Sequence, residues 1–239
     1  MKVIAVLSSP SKNGNTAVLA REALNAAKAS GADTEEIFLA DYKIEFCRGC
    51  MQCMRTGTCP LNDDFERLKA KVYNSDGIIL GSPSYGMAPN ARMKNFLIDR
   101  MGMFTVYTSS LSGKYFLGFS TAGAVGADKV AKELAYSSTF GIFKKAYASG
   151  YLGATLGTKK FEMKRIEDYP DKMKMAGFLG KKLVQDIRSK KNYHFQNWTG
   201  NLISRLFLKN LMIRNIIANK DSSMKGVYEN LKEKKWIEE

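Results

Sequence analysis

With 239 residues, 45% of them hydrophobic, the chain is long enough for one well-buried domain and an extension. The N-terminal apolar run is too short for a signal peptide, and no run of about 18 apolar residues suggests a transmembrane helix, so we expect a cytoplasmic protein. The net charge is +14, and half of this excess lies in residues 181–239, which carry 13 basic and 6 acidic side chains; we expect a solvated basic surface rather than a nucleic-acid partner.

The first element is a short apolar run, Lys2–Leu7, which lacks helical periodicity and predicts a buried strand. The loop that follows, Ser8–Thr16, is rich in hydroxyl side chains and contains Gly14, which permits a tight backbone path. A helical pattern comes next, so the loop leads to a helix start, where free amides and the helix dipole favour an anion. The loop has neither the Walker pattern nor Gly-x-Gly-x-x-Gly. Two interpretations stay open: a phosphate-binding loop, and a capped helix start without a ligand.

The second predicted strand, Thr34–Ala40, begins with polar residues, which favours a position at the edge of a sheet. The loop after it, residues 41–62, contains every cysteine of the chain. These are Cys47, Cys50, Cys53 and Cys59. We predict that Asp63 is the N-cap of the next helix, rather than one of a catalytic carboxylate pair with Asp64.

Three further strands are predicted, separated by helical patterns. The strands span Gly77–Gly81, Tyr115–Phe119 and Tyr151–Leu156, and the helices span Met93–Met101, Asp128–Ala146 and Tyr169–Arg188. This alternation predicts a parallel sheet with right-handed crossovers. Small polar loops follow the first, third and fourth strands, at residues 8–16, 82–87 and 120–124. Because ligands of such sheets bind beyond the carboxyl ends of the strands, we expect the three loops to form one site.

Three motifs, in this order, resemble the NADPH-dependent FMN reductase group of the flavodoxin-like flavoproteins. Ser9–Thr16 resembles the loop Gly-Ser-Pro-Arg-x-x-Gly-Asn-Thr of that group. Gly81–Tyr85 together with Met93–Arg100 matches its second signature. The cysteine spacing, followed by Asp63-Asp64, is similar to that of the iron–sulfur flavoprotein subgroup. The resemblance covers residues 1–190, which we take as one FMN-binding domain, and residues 191–239 as a basic helical extension.

The resemblance implies an α/β fold: a flavodoxin-like three-layer sandwich with a five-stranded parallel sheet in the order 2-1-3-4-5. It also implies bound FMN. The residues that would hold the phosphate are Ser9, Ser11, Asn13, Asn15 and Thr16. Those that would flank the isoalloxazine are Pro83, Ser84, Tyr85 and Gly86. Those that would form the third wall of the FMN site are Ser120, Thr121, Ala122 and Gly123. The family often has Arg where this chain has Ser11, a bidentate phosphate contact for which we expect Lys12 to compensate in part.

The cysteine loop has the composition of an iron–sulfur site, because thiolates on one compact loop can surround a cluster and Pro60 follows Cys59. Structural zinc usually uses two separated Cys-x-x-Cys knuckles, which this loop lacks. We favour a [4Fe–4S] cluster, while free thiols and zinc stay open. The resemblance suggests electron exchange between the cluster and FMN, and a homodimer or homotetramer.

The function that follows from the resemblance is an FMN-dependent oxidoreductase. NAD(P)H or reduced ferredoxin would deliver electrons, and a small acceptor such as a quinone, a nitroaromatic or an oxygen species would take them. No catalytic side chain is needed, because the chemistry is carried by the flavin. Two alternatives are a non-enzymatic electron carrier and a scaffold that has lost FMN. The sequence decides neither the donor nor the acceptor.

The C-terminal extension has apolar residues at helical spacing. They are Leu202, Ile203, Leu206, Phe207, Leu211, Ile213, Ile216 and Ile217. We expect this helix to pack on the core or on a partner subunit; the alternative is a basic helix on an anionic membrane surface. His194, the only histidine, has aromatic neighbours and is expected to pack rather than to catalyse.

Overall fold

A five-stranded parallel sheet forms the middle layer of the computed structural model, which describes residues 1–137, 139–157, 164–193, 196 and 208–237. The strands are β1 (Lys2–Leu7), β2 (Asp33–Phe38), β3 (Gly77–Gly81), β4 (Tyr115–Ala122) and β5 (Tyr147–Thr155). Their order is β2-β1-β3-β4-β5, and every neighbouring pair is parallel. The predicted fold class and strand order are therefore confirmed, and so is the edge position of the second strand.

Helices cover both faces of the sheet. They are α1 (Asn15–Ala29), α2 (Gln52–Thr56), α3 (Phe65–Tyr73), α4 (Gly102–Thr108), α5 (Ala127–Ser137), α6 (Pro170–Arg188), α7 (Lys209–Ala218) and α8 (Lys225–Glu233). Between β3 and α4 lie a two-stranded antiparallel hairpin (Ser84–Tyr85 with Ala88–Pro89), a helical turn (Ala91–Met93) and a π-helix (Lys94–Arg100). Short 3₁₀ turns occur at Leu39–Asp41 and Ile166–Asp168.

Side chains of β1 alternate between two cores, as the period of a strand requires. Val3, Ala5 and Leu7 pack with α1 and α6 on one face of the sheet. Ile4 and Val6 pack on the other face with α3, the π-helix and α5. All five side chains are at most 1% exposed, so this strand is buried on both sides. The two cores account for the continuous apolar run at the start of the sequence.

Several predicted bounds are wrong. Strand β4 continues to Ala122 because its last residues pair with Gly153, Ala154 and Thr155 of β5, so part of the predicted third loop is strand. Strand β5 begins at Tyr147, four residues before its predicted start. The predicted helix Asp128–Ala146 ends at Ser137, since the chain then turns and the amide of Phe143 donates to Ser109 Oγ.

The C-terminal helices α7 and α8 pack on α2 and α4 through a third apolar cluster, which we call the C-terminal cluster. Its buried members are Met54, Phe104, Ile216, Val227, Leu231 and Ile237. Of the predicted apolar stripe, Ile216 is buried in this cluster, whereas Leu211 and Ile217 are 63% and 40% exposed, so α7 packs along only part of that stripe. His194, Trp198 and the predicted helical positions 202–207 lie outside the described residues. Within the described chain, no helix has both the length and the apolar character needed to cross a bilayer.

Candidate functional site

The loop between β1 and α1 closes on itself. The amide of Ser8 donates to Gly81 O on β3 (2.9 Å), and the amide of Gly14 donates to Ser11 O (3.1 Å). The hydroxyl of Ser9 donates to the same carbonyl at 2.9 Å. A Cβ on Gly14 would lie 2.8 Å from Ser9 Oγ, so this turn is too tight for a side chain there. The loop is a compact cradle in front of the first helix.

Helix α1 presents unpaired amides to this cradle. Its backbone ladder begins where Val18 donates to Gly14 O (3.0 Å), so the amides of Asn15, Thr16 and Ala17 have no acceptor within the helix. No side chain of the described residues caps the helix, and its first turn carries no acid. These amides, with the positive end of the helix dipole, suit an anion.

Two of the predicted phosphate residues also anchor the loop to a distant segment. The amide of Ile166 donates to Asn15 Oδ1 (3.0 Å), and Arg165 Nη2 donates to Asn13 O (2.9 Å). Lys12, which we expected to replace the missing guanidinium of the family loop, pairs with Asp41 at 2.6 Å. Two guanidiniums therefore reach backbone carbonyls of the loop: that of Arg21, whose Nη2 donates to Lys12 O (2.9 Å), and that of Arg165, about 150 residues further along the chain, which also pairs with Glu167 (3.0 Å). The sequence pattern pointed to neither.

A direct contact joins the first loop to the end of β4. Thr16 Oγ1 and Thr121 Oγ1 lie 2.6 Å apart, and both residues are buried. Ser120 is the neighbour of Thr121 on the strand and points to the opposite face of the sheet, by the alternation of strand side chains. The structure thus brings Thr16 and Thr121 together, while Ser120 faces the α5 side.

The second loop is tied to the first by Asn90, which the sequence analysis did not single out. Its side-chain Nδ2 donates to Ser8 O (2.7 Å), and its backbone N–H donates to Ser82 Oγ (2.9 Å). The hairpin between them turns at Gly86 and Met87, which have φ of 58° and 61°. Tyr85 at this turn is 57% exposed. Asn90 fixes the base of the hairpin, and the aromatic ring stands at its exposed tip.

The third loop packs on the second. Gly126 has φ of 91°, and a Cβ there would lie 2.9 Å from Ser84 Oγ and 3.0 Å from Met87 Cα. A Cβ on Gly157 would lie 1.9 Å from Gly123 O, so the end of β5 also closes on this loop. All three predicted loops therefore meet at the carboxyl edge of the sheet.

Two hydroxyls at this edge lack protein partners. Ser84 Oγ and Ser120 Oγ are both shielded from solvent, and neither forms a hydrogen bond with any described residue. Both hydroxyls have hydrogen-bonding capacity left for a ligand or for ordered water. Four other buried side chains, outside the three loops, also have an unpaired polar atom: Asn95, Arg100, Ser149 and Asn230. Ser84 and Ser120 belong to the predicted flavin site.

The cysteine loop contains the short helix α2, which carries Cys53. Gly49 and Met51 both have left-handed backbone (φ of 63° and 56°), and the amide of Gly49 contacts Cys47 Sγ at 3.5 Å. Cys47 and Cys50 are exposed, whereas Cys53 and Cys59 are partly buried. Burial raises the pKa of the Cys53 thiol, and negative charge on Cys59, Cys47 and Cys50 raises it further. Among the described residues, no three Cys, His, Asp or Glu side chains are arranged to hold a metal ion.

A buried ion pair fastens this loop to the core. Arg100 Nη1 contacts Asp63 Oδ2 at 2.7 Å, and the two side chains are 1% and 0% exposed. Arg100 also donates to Glu45 O (2.6 Å) and contacts Cys59 Sγ (3.4 Å), so it holds both ends of the loop. Burial opposes ionisation of Asp63, but hydrogen bonds from Arg100 and from the amides of Glu45 and Phe65 outweigh it and lower its pKa.

The prediction of Asp63 as the N-cap is wrong in detail. Helix α3 begins at Phe65 with Asp64 in the N-cap position, although Asp63 Oδ1 does accept the amide of Phe65 (3.0 Å). The reason is that its second oxygen is drawn to Arg100 on the π-helix, a long-range partner that local pattern does not reveal. Asp63 holds the loop together as well as the helix start.

Comparison with known proteins agrees with this architecture. The model of the family NADPH-dependent FMN reductase matches residues 1–141. An iron-sulfur flavoprotein of Archaeoglobus fulgidus is 32% identical over 241 residues, which cover 99% of this chain and 100% of that protein. An iron-sulfur flavoprotein of Methanocaldococcus jannaschii is 47% identical over 100 residues, but this match spans only 42% of this chain and 51% of that protein.

Among solved structures, RosB with bound 8-demethyl-8-formylriboflavin-5'-phosphate has a TM-score of 0.58 at 16% identity, and the match covers 86% of each chain. This likeness concerns the fold. The family match and the full-length relative confirm the resemblance drawn from the three sequence motifs. The chain belongs to the NADPH-dependent FMN reductase family and is similar along nearly its whole length to the iron-sulfur flavoprotein of Archaeoglobus fulgidus.

Proposed function

We propose that this protein is an FMN-dependent oxidoreductase that passes electrons from NAD(P)H, or from reduced ferredoxin, to a small acceptor such as a quinone, a nitroaromatic or an oxygen species. The observation that carries the proposal is the meeting of three loops around an uncapped helix start, with the hydroxyl of Ser84 on the hairpin left unpaired. Family membership supports the flavin as the ligand.

The residues fit FMN in three parts. The free amides of Asn15, Thr16 and Ala17 and the side chains of the first loop suit the monophosphate, which carries the negative charge that this helix end favours. The proposed phosphate residues are Ser9, Ser11, Asn13, Asn15 and Thr16. The residues proposed to flank the isoalloxazine are Pro83, Ser84, Tyr85 and Gly86. Those proposed to form the third wall of the site are Ser120, Thr121, Ala122 and Gly123. When bound, FMN supplies hydride acceptance and one-electron transfer.

The chain's own contribution is binding and orientation. The exposed ring of Tyr85 offers a flat surface against which planar groups can stack. Asn90 and Gly126 hold the hairpin that carries this ring, through the Asn90 bond to Ser8 and the close packing of Gly126 on Met87. No side chain is assigned as an acid or base, since transfer of a hydride to a flavin needs none.

We further propose that Cys47, Cys50, Cys53 and Cys59 hold a [4Fe–4S] cluster. The donor set suits such a group, because four thiols lie on one loop and two sulfurs receive N–H donors, from Gly49 and Arg100, although the described side chains are not arranged around a metal ion. The iron-sulfur names of the relatives support this assignment. Arg100 would offset part of the negative charge of the ligated sulfurs. Electron exchange with FMN in a homodimer or homotetramer belongs to the same proposal.

Anaerobic purification followed by rapid mixing tests the function. Absorption spectra, together with iron and sulfide content per flavin, determine whether FMN and a cluster are present. The FMN-loaded protein is then mixed with NADPH, NADH or reduced ferredoxin, and its flavin absorption is followed. Fast bleaching by a nucleotide and reoxidation by a quinone support the oxidoreductase. Bleaching by ferredoxin alone, without turnover of any acceptor, supports the carrier instead, and no response to any donor overturns both.

A further inference from the structure

The four cysteines are supported by different parts of the chain. Cys59 packs against the core on the α3 side and contacts Arg100, while Cys47 and Cys50 are exposed. Cys53, in contrast, packs against the C-terminal cluster, which includes Phe104 of α4, Ile216 of α7 and Val227 and Leu231 of α8. One cysteine of the loop is therefore supported by the C-terminal extension.

Helix α8 and the cysteine loop are in direct backbone contact. A Cβ on Gly226 would lie 2.3 Å from Gly57 N and 2.8 Å from Thr56 C, so only glycine allows α8 to approach this closely. Gly57 ends α2 in the left-handed conformation (φ of 78°). The first turn of α8 thus rests on the last turn of the helix that carries Cys53.

Apolar packing and one hydrogen bond also hold α8 against α2 and α4. Met54, the residue after Cys53, is 1% exposed, and it is covered by Val227 and Leu231 of the C-terminal cluster, both at 0%. At the other end of α8, Lys234 Nζ donates to Thr108 O at 2.9 Å, where α4 ends. Since α2 has only five residues, it is too short to be stable alone and depends on this packing.

We propose that the C-terminal helices α7 and α8 are a clamp that positions Cys53, and through it the cluster-binding loop. The inference rests on the proposed cluster for its purpose, but the clamp itself is a statement about this chain and is testable without iron. The extension then serves retention of the cluster rather than FMN binding, because the C-terminal cluster through which it packs contains none of the proposed FMN residues.

The test uses the full chain with Gly226→Ala, and Gly102→Ala as the matched control. A Cβ on Gly102, which is also in a helix of this region, meets no atom within 4 Å. In protein freed of iron, alkylation of each thiol is followed by mass spectrometry. We expect Gly226→Ala to speed alkylation of Cys53 by about tenfold, because local opening exposes it, and to leave FMN affinity unchanged. In anaerobically purified protein, the same variant retains less iron per flavin.

Each outcome decides the proposal. Equal alkylation of Cys53 in the wild type, Gly226→Ala and Gly102→Ala overturns the clamp. If Gly226→Ala does not fold, Leu231→Ala, which opens a cavity in the same cluster, replaces it with the same expected and contrary results. A wild-type protein that never holds iron refutes the proposed cluster, whereas faster alkylation of Cys53 in the variant still supports the clamp.

Discussion

Thr16 on the first turn of α1 and Thr121 near the end of β4, 105 residues apart, share a hydrogen bond of 2.6 Å between their Oγ1 atoms. The bond joins the proposed phosphate cradle to the third wall of the site. Thr16 and Thr121 are both buried, so this bond contributes, with the contacts of Asn90 and Gly126, to fixing the relative positions of the loops.

Removing this bond is expected to loosen the flavin site. Thr121→Val keeps the shape but deletes one partner, so the free energy of unfolding should fall by about 1 kcal/mol. FMN should bind roughly tenfold more weakly, which corresponds to about 1.4 kcal/mol. Urea unfolding and quenching of flavin fluorescence measure the two effects. Thr121→Ser, which keeps the hydroxyl, is the control, and Val and Ser variants with the same FMN affinity would count against the role of this bond.

Arg165 is expected to recognise the phosphate rather than the ring. Its guanidinium donates to Asn13 O on the phosphate loop and pairs with Glu167 at 3.0 Å. Arg165→Gln should weaken FMN binding by about three- to tenfold, because an exposed charge contributes up to about 1 kcal/mol, and should leave riboflavin binding unchanged. Arg188→Gln is the control, since Arg188 also donates to a backbone carbonyl, that of Ser30, but at the far end of α6. An equal loss for FMN and riboflavin contradicts the assignment.

The unpaired hydroxyl of Ser84 distinguishes a ligand site from a packing defect. Ser84→Ala removes a group that bonds to no described residue, so the stability of the flavin-free protein should stay within about 0.5 kcal/mol of the wild type. FMN affinity should fall, because the ligand loses a hydrogen-bond partner. Calorimetry of the flavin-free protein and FMN titration give the two values. A variant that loses stability but binds FMN normally would show that Ser84 serves the fold alone.

The buried pair Asp63–Arg100 should dominate the stability of the cysteine loop. Asp63→Ala leaves the guanidinium buried without its counter-charge and is expected to cost about 3 to 5 kcal/mol in unfolding free energy. The double variant Asp63→Leu with Arg100→Met removes both charges and should recover most of that loss. Denaturant unfolding of the single and double variants measures it. Equal destabilisation of the two contradicts a role based on unpaired charge.

The same pair predicts a dependence on pH. The pKa of Asp63 is lowered in the folded protein, so the folded state favours its ionised form relative to an unfolded carboxyl of about 3.9. The stabilisation is complete above that value and is lost as the pH falls below about 4. Asp63→Asn lacks this contribution. The difference in unfolding free energy between the wild type and Asp63→Asn should therefore shrink between pH 5 and pH 3, and a constant difference would refute the prediction.

The sheet and its site-forming loops could be predicted from the sequence because they depend on local pattern. The apolar run Lys2–Leu7 and the fully buried Gly77–Gly81 are continuous, as strands covered on both faces must be. The loops that end these strands are marked by glycine and small polar residues. The errors fall where tertiary contacts decide: β4 runs on to Ala122 because β5 pairs with it, and α5 stops at Ser137 although its apolar spacing continues.

The connections between loops could not be predicted. Asn90, Arg100 and Arg165 each bond to a residue 37 or more positions away, and nothing in their neighbouring residues marks those partners. The close backbone contact of Gly226 with Gly57 could not be predicted from the sequence either, because a glycine within a helix usually indicates only low helix propensity at that position. Residue types located the loops, and three-dimensional contacts explain how they are held together.

Titration of the flavin-free protein with FMN and with riboflavin tests the central claim most directly. The phosphate distinguishes the two ligands, so the uncapped start of α1 should bind FMN in a 1:1 complex at least about tenfold more tightly than riboflavin, a difference of about 1.4 kcal/mol. Quenching of flavin fluorescence reports both affinities under the same conditions. No binding of FMN in excess, or equal affinity for FMN and riboflavin, would contradict the account.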